Sequence, residues 1–171
     1  MILIAGDSYS DSSFSSPTCK MGNSEPYSWV NLLSQHYNTR CVAQSGCSNY
    51  DIVSQISRSK HYDFLIVNVS NITRTARKSP YRVKDNTLPE LQANLKIASS
   101  LGKRSATLCW TPFPGYEGLP GVHFIPLEKH NELYNQSVQT RCTQNHMDRE
   151  GHALLYEWML KHLNSKGYIN E

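Results

Sequence analysis

The chain has 171 residues, of which 39% are hydrophobic and 18% charged, and its formal net charge at pH 7 is +3. A disordered chain is more charged and less apolar than this, and the length suits one self-sufficient core. This small positive charge and a pI near 8.6 do not indicate a nucleic-acid-binding protein, which normally has a higher pI and a clustered basic face. We therefore expect one globular domain over residues 1–171 that has no nucleic-acid partner.

The sequence gives no sign of export or of membrane insertion. No apolar run approaches the ~18 residues that span a bilayer. The segment Met1–Ala5 lacks a basic region and is interrupted at Gly6-Asp7 before the apolar core of a signal peptide can form. The five cysteines include no C-x-x-C pair and no zinc-finger spacing. We expect synthesis in the cytoplasm, reduced and mostly structural thiols, and no membrane partner.

The first predicted elements are a strand and a helix. Ile2–Ile4 is a short apolar run that predicts a buried strand ending in a tight turn at Gly6-Asp7. A loop is expected over residues 8–24. A helix is expected to begin at Ser24-Glu25-Pro26, since proline is tolerated in a first turn. The helical spacing i, i+3, i+4, i+7 then predicts a buried face formed by Trp29, Leu32, Leu33 and His36.

The next elements repeat this alternation. A second strand is predicted over Arg40–Ala43 and ends at Ser45-Gly46. Ser48 is the expected N-cap of a helix, whose apolar residues are Tyr50, Ile52, Val53 and Ile56. Phe64–Val67 is a continuous apolar run, which is typical of a strand buried in a parallel sheet.

The second half of the chain continues the pattern. A capping box at Thr87-x-x-Glu90 predicts a helix that ends at Gly102. Two further strands are expected over Ser105–Trp110 and Val122–Pro126, separated by a loop rich in proline and glycine. A final helix begins near Arg149, and its apolar stripe consists of Leu154, Leu155, Trp158, Met159 and Leu163. Strands alternating with helices predict a three-layer α/β/α, flavodoxin-like fold with a parallel sheet of four to five strands.

Polar residues follow three of the predicted strands. They are Gly6-Asp7-Ser8, Ser45-Gly46 and Ser70-Asn71, and His146 lies just before the last helix. Ligand sites of parallel sheets lie beyond the carboxyl ends of the strands. We therefore expect these four segments to converge at one edge of the sheet.

This set of residues suits nucleophilic catalysis. A tight turn after a buried strand can hold the Ser8 hydroxyl exposed, and a neutral imidazole such as that of His146 can remove its proton. An attacked ester carbonyl becomes an oxyanion, which needs preorganised hydrogen-bond donors. The backbone of Gly46 can approach a bound molecule closely because no Cβ is in the way.

Gly6-Asp7-Ser8, Gly46, Asn71 and His146 resemble the four signature blocks of the SGNH hydrolases, also called GDSL esterases, and the resemblance covers residues 2 to about 160. It implies an esterase with Ser8 as nucleophile and His146 as base, and with Asp7 in a supporting role. The implied oxyanion hole consists of the Ser8 and Gly46 N–H groups and the Asn71 amide. No cofactor and no metal is implied.

The choice of His146 over His152 rests on spacing. In the family the catalytic histidine commonly precedes a glycine by five positions and a second histidine by six, as His146 precedes Gly151 and His152. Thr143, however, stands where the family usually has the aspartate that orients this histidine. A backbone carbonyl can replace that carboxylate, and some members work as Ser-His dyads; Asp148 is a weaker substitute.

A second departure is Val69, where the family often has glycine two positions before the asparagine. Valine at this position puts in question how closely the end of this strand approaches the site. It leaves the Asn71 amide in the sequence pattern.

The surroundings of the site suggest a substrate class. The basic segment from Arg74 to Lys84 is either a solvated loop or a rim that attracts an anionic substrate. Trp110, with Phe113 and Tyr116, is a candidate wall for a sugar ring, so Arg74 and Trp110 are the candidate substrate-binding residues. The chain has no obvious long lid, which argues against a lipase acting on bulk lipid.

Small stand-alone SGNH proteins are often carbohydrate O-deacetylases. The resemblance therefore implies a small-molecule or glycan ester as substrate, first of all an O-acetyl group on a carbohydrate. The compact layout also resembles SGNH proteins encoded by tailed phages.

Other functions fit the same pattern. Thr143 favours a catalytically degenerate binding protein, in which Asp7 and Ser8 only satisfy turn N–H groups and Asn71 only caps a loop. A thioesterase or lysophospholipase of the same fold would prefer long acyl chains. The acyl group, its carrier and the oligomeric state are left open by the sequence.

Overall fold

The computed structural model describes residues 1–15, 22–59, 62, 64–68, 107–111, 122–124, 147 and 149–165. The chain divides into two compact units, one formed by Met1–Asp11 with Asn38–Ile125 and the other by Ser12–Tyr37 with Pro126–Glu171. The single domain expected over residues 1–171 stays a prediction. Among the helices in the described ranges, none has the length and apolar character needed to cross a bilayer.

The first unit is organised around a parallel sheet. Its five strands are β1 (Ile2–Ala5), β2 (Thr39–Cys41), β3 (Phe64–Asn68), β4 (Thr107–Thr111) and β5 (Val122–Phe124). They lie in the order β2-β1-β3-β4-β5, and every neighbouring pair is parallel. Three helices are described, α1 (Trp29–His36), α2 (Asn49–Ser57) and α3 (Arg149–Ser165). The predicted α/β class with a parallel sheet of four to five strands is confirmed.

β1 lies between two partner strands, with Leu3 opposite Arg40 on β2 and Leu65 on β3. All four residues of β1 are buried. A strand covered on both faces needs an apolar side chain at every position, which explains the continuous run in the sequence. This arrangement brings the chain after Ala5 to the carboxyl edge of the sheet.

Helix α2 packs on the sheet beside β1. Its buried Ile52 and Ile56 belong to one apolar cluster with Leu3, Ala5, Cys47, Tyr62, Leu65 and Val67. The predicted cap at Ser48 is confirmed: its hydroxyl accepts from the Asp51 N–H at 3.1 Å, and the Asp51 carboxylate accepts from the Ser48 N–H at 3.2 Å. This reciprocal capping box fixes where α2 begins.

Gln55 of α2 ties the helix to the end of β1. Its Oε1 accepts from the Gly6 N–H at 3.0 Å, and its Nε2 donates to the Gly6 carbonyl at 3.1 Å. The buried Gln55 amide thus bonds both backbone groups of Gly6, the residue just beyond the strand. Leaving either group buried without a hydrogen-bond partner would be costly.

Gly6 also allows a close approach between β1 and the end of β3. Its φ is +151°, a conformation that L-residues with a side chain rarely adopt. A Cβ built at this position would overlap Oδ1 of Asn68 and lie 2.7 Å from its Cγ. The glycine is therefore required by both backbone conformation and space.

The second unit is organised around helices α1 and α3, which pack against each other. Trp29, Val30 and Leu33 are the buried residues of α1. Of the stripe predicted for the last helix, Leu155, Met159 and Leu163 are fully buried, whereas Leu154 and Trp158 are half-buried. His36, which the helical spacing placed on the buried face of α1, is exposed.

The expected start of α1 at Ser24-Glu25-Pro26 is wrong, because the helix begins at Trp29. Ser28 is its N-cap and accepts from the Asn31 N–H at 3.1 Å. The Trp29 N–H, one of the donors that no helical carbonyl can satisfy, donates to Nδ1 of His152 at 3.2 Å. A contact from α3, far along the chain, thus completes the beginning of α1.

The bounds of all five strands differ slightly from the predictions, β1 and β3 each by one further residue, Ala5 and Asn68. β2 ends at Cys41, but Val42 and Gln44 still donate backbone hydrogen bonds to Ile4 and Gly6, at 2.8 and 3.1 Å. β4 begins at Thr107 and β5 ends at Phe124. The helix expected from Thr87 to Gly102 lies outside the described residues.

We expect Gly6→Ala to destabilise the first unit strongly. Strain at this φ and overlap with Asn68 each cost about 1–3 kcal/mol. The midpoint of urea unfolding should therefore fall far below that of Ser57→Ala, a change at an exposed position of α2. A Gly6→Ala protein as stable as this control would contradict the close approach.

We expect His152→Leu to lower the free energy of unfolding by about 1–3 kcal/mol, because it leaves the Trp29 N–H without its acceptor in a buried place. His152→Asn should recover part of this loss, since its Oδ1 stands near the position of Nδ1. His36→Leu, on the exposed end of α1, is the matched control. Equal unfolding free energies for the Leu and Asn variants at position 152 would show that the hydrogen bond contributes nothing.

Candidate active site

The described turn residues of the predicted site lie at the carboxyl ends of two adjacent strands, and a further polar residue ends the strand beside them. Asp7 and Ser8 follow β1, Gly46 follows β2, and Asn68 ends β3. Of the other candidates, the structure gives only the backbone of Trp110, on β4. Asn71, Arg74 and His146 lie outside the described residues, as do Val69, Thr143 and Asp148.

Ser8 lies in a tight turn directly after β1. The Asp7 carbonyl accepts from the N–H groups of both Ser10, at 3.0 Å, and Asp11, at 2.9 Å. Five residues are thereby closed into one turn with Ser8 near its start. Ser8 is 7% exposed, less than the open hydroxyl that the sequence predicts.

Asp7 stabilises this turn from within. Its Oδ1 accepts from the Tyr9 N–H at 3.1 Å and from Nδ2 of Asn68 at 2.9 Å. The carboxyl group is 3% exposed. Asp7 thus fixes the backbone on both sides of Ser8, and its supporting role in catalysis stays a prediction.

Asn68 is a part of the site that the sequence analysis missed. Its Oδ1 accepts from the Asp7 N–H at 3.3 Å and from the Ser10 hydroxyl, and its side chain is fully buried. One amide therefore holds three points of the Ser8 turn to the end of β3. The signal was visible as a polar residue at the end of the apolar run Phe64–Val67.

Gly46 occupies a turn that requires a left-handed backbone. Its φ is +76°, which glycine adopts at little cost. The turn is closed by the Cys47 N–H, which donates to the Gln44 carbonyl at 3.4 Å. No described residue accepts a hydrogen bond from the Gly46 N–H. Gly46 is half-buried, and its N–H is the candidate donor to an oxyanion.

Asp11 links the two turns and was also missed. Its Oδ2 accepts from both the Ser45 N–H and the Ser45 hydroxyl, each at 2.8 Å. Ser45 directly precedes Gly46. The carboxylate at the end of the Ser8 turn thus fixes the residue next to the candidate oxyanion donor. Its sequence signal was weak, because an aspartate in a serine-rich segment is typical of any loop.

Two cysteines lie beside these turns as free thiols. The Cys41 thiol donates to the Ser10 carbonyl at 3.1 Å, and Sγ of Cys47 accepts from Nε2 of Gln55 at 3.4 Å. Both contacts support the structural role expected for the thiols. No cluster of metal-binding side chains occurs among the residues that the structure describes.

His152, the alternative base, contacts Trp29 and Tyr27 within the second unit. It is 2% exposed, and the edge of its ring faces Tyr27 at a centroid distance of 5.8 Å. Because Nδ1 accepts from the Trp29 N–H, a neutral His152 carries its proton on Nε2. In this arrangement neither ring nitrogen can take a proton from a serine. The assignment of the base to His146 stays a prediction.

Comparison with known proteins finds relatives by structure alone. No family model and no curated protein matches the sequence. The chain superposes on the psychrotrophic esterase EstA from Pseudoalteromonas sp., inhibited by monoethylphosphonate, with a TM-score of 0.61, 13% identity, and 96% and 97% of the two chains covered.

Two further structures are similar. One is a lipolytic protein of the G-D-S-L family from Veillonella parvula, with a TM-score of 0.51, 14% identity, and coverage of 94% and 96%. The other is a carbohydrate esterase of family 2 with a carbohydrate-binding domain from Corynascus thermopiles, with a TM-score of 0.56 and 15% identity. The match covers 96% of this chain and 65% of the Corynascus protein. The protein therefore has the α/β fold of the SGNH hydrolases, also called GDSL esterases.

Proposed function

We propose that the protein is a serine esterase that hydrolyses a short-chain carboxylic ester, with an O-acetyl group on a carbohydrate as the leading substrate. Ser8 is the nucleophile and His146 the base. The oxyanion hole consists of the Ser8 and Gly46 N–H groups and the side-chain amide of Asn71. The reaction needs no metal and no cofactor.

One structural observation supports this proposal most. The Ser8 turn and the Gly46 turn follow neighbouring strands and are joined by the hydrogen bonds of Asp11 to Ser45. Ser8, the proposed nucleophile, thus belongs to the same hydrogen-bonded assembly as Gly46. The Gly46 N–H donates to no described residue. Ester hydrolysis needs such a pair, because the donor must stand ready where negative charge develops.

The first half-reaction forms an acyl-enzyme. Oγ of Ser8 attacks the carbonyl carbon of the ester while its proton passes to His146, and the carbonyl oxygen becomes an oxyanion that accepts from Gly46. The tetrahedral intermediate then collapses. The bond from carbon to the sugar oxygen breaks, and the leaving alkoxide takes the proton from His146.

The second half-reaction releases the acid. Water attacks the acyl-Ser8 carbonyl and gives a proton to His146, and the same donors stabilise the second oxyanion. Collapse of this intermediate breaks the bond to Oγ of Ser8, which recovers the proton from His146. With threonine at position 143, the proposed catalytic pair is a dyad of Ser8 and His146.

The substrate class is supported by a structural neighbour and by the sequence. One similar structure is a carbohydrate esterase. The aromatic residues Trp110, Phe113 and Tyr116 follow one another closely along the chain, and aromatic faces are suitable surfaces for sugar rings. An acetyl ester also requires only a small acyl pocket, which fits a nucleophile that is 7% exposed.

We expect Ser8→Ala to lower the hydrolysis of p-nitrophenyl acetate by more than about 10⁴-fold, because removing a serine nucleophile abolishes the covalent route. A fluorophosphonate probe should modify the wild-type protein at Ser8, as peptide mapping by mass spectrometry would show. Ser13→Ala, at an exposed serine of the following loop, should stay within about twofold of the wild type.

A folded wild-type protein with neither turnover nor adduct would contradict the esterase. If such a protein binds an acetylated sugar equally well with and without Ser8→Ala, it is a binding domain.

We expect acetyl esters to be better substrates than long acyl esters. The value of kcat/KM for p-nitrophenyl acetate should exceed that for the octanoate, and free acetate should be released from an O-acetylated oligosaccharide. Release should disappear in Ser8→Ala. A clear preference for octanoate would instead identify a thioesterase or lysophospholipase and refute the deacetylase.

A further inference from the structure

We propose that Asp11 is a positioning residue of this esterase, which holds the Gly46 oxyanion donor at a fixed place relative to Ser8. The inference rests on the proposed function and deepens it. Asp11 touches neither the substrate nor the reacting atoms in this account. It acts through Ser45, the residue that precedes Gly46.

Asp11 contacts Ser45 directly through its carboxylate. A single carboxylate oxygen, Oδ2 of Asp11, accepts both the backbone N–H and the hydroxyl of Ser45 at 2.8 Å. Both distances are good hydrogen-bond distances, and hydrogen bonds to an ionised acceptor are roughly twice as strong as neutral ones. Asp11 is 9% exposed and Ser45 is half-buried. Limited solvent access reduces the competition from water for these bonds.

The turn that carries Asp11 is itself held in place by hydrogen bonds. Its own N–H donates to the Asp7 carbonyl at 2.9 Å. Asn68 holds the same turn through the Asp7 N–H and the Ser10 hydroxyl. The backbone around Ser8 and the carboxylate of Asp11 therefore belong to one fixed unit, and Asp11 extends that unit to Ser45.

The hydrogen bonds of the sheet do not hold the Gly46 turn by themselves. Regular hydrogen bonds between the two segments end where Gln44 donates to the Gly6 carbonyl at 3.1 Å. The bond that closes the turn itself, from Cys47 to Gln44, is long at 3.4 Å. Asp11 is therefore the main lateral support of Ser45-Gly46 among the described residues. A misplacement of about 1 Å in such a site can reduce the rate by about 10²-fold.

The test compares Asp11→Ala with Asp11→Asn. Asp11→Ala should lower kcat for p-nitrophenyl acetate by about 10- to 100-fold with KM changed by less than about threefold, because the donor acts mainly on the transition state. Asp11→Asn keeps an oxygen that can accept both bonds, so its kcat should recover to within about fivefold of the wild type. Hydrogen exchange of the Ser45 amide, followed by NMR, should be faster in Asp11→Ala and near wild-type in Asp11→Asn.

Ser45→Ala serves as a second variant, since it retains Asp11 and loses only the hydroxyl bond. It should lower kcat by less than about tenfold, and combined with Asp11→Ala it should add little further loss, since both changes break one contact. Thermal melting of every variant separates this effect from loss of the fold. If Asp11→Ala does not fold, the exchange and kcat of Ser45→Ala decide the question.

Three results would overturn the inference. The first is a folded Asp11→Ala protein with wild-type kcat. The second is an Asp11→Asn protein as slow as Asp11→Ala, which would mean that the charge matters and the hydrogen bonds do not. The third is Ser45→Ala and Asp11→Ala effects that multiply fully. Failure of the proposed function is distinguishable, because the wild-type protein itself would then show no turnover that depends on Ser8.

Discussion

The site depends on how the chain satisfies its backbone polar groups after β1 leaves the sheet. Buried N–H and C=O groups without partners are costly, and a turn at the edge of a sheet has no neighbouring strand to provide them. Here two side chains from other segments do so: Gln55 pairs with Gly6, and Asn68 pairs with Asp7. Asp11, at the end of the same turn, pairs with Ser45 after β2, so the position of the Ser8 turn is defined from several directions.

This hydrogen bonding explains why the turn is narrow. The Asn68 amide lies so close to Gly6 that it leaves no space for a Cβ there. The polar residues involved are almost completely buried, and buried polar networks favour a single arrangement when every member has a partner. A nucleophile held in one arrangement loses little freedom when its substrate binds, which is the advantage of preorganisation in catalysis.

Much of the fold was predictable because it depends on local patterns. Continuous apolar runs gave β1 and β3, and the cap at Ser48 gave the start of α2, since these features depend only on neighbouring residues in the sequence. The start of α1 was not predictable in this way. Its first N–H is satisfied by His152, more than a hundred residues away, and local propensity at Pro26 carried no information about that contact.

The same distinction applies to the site. Ser8 and Gly46 were recognisable because a strand end followed by a tight turn has a clear sequence signature. Asn68 and Asp11 were not, because their roles come from partners about sixty and thirty residues away. The sequence also suggested a well-exposed hydroxyl, whereas the folded turn leaves Ser8 with little exposed surface. The long-range pairing of these polar groups was therefore visible only in the folded structure.

The most direct measurement is a crystal structure of the protein after reaction with a small alkyl phosphonate. The account predicts phosphorus bonded to Oγ of Ser8, with a phosphoryl oxygen about 2.7–3.1 Å from the Gly46 nitrogen. A protein left unmodified at Ser8, or an adduct whose oxygens all lie far from Gly46, would contradict it.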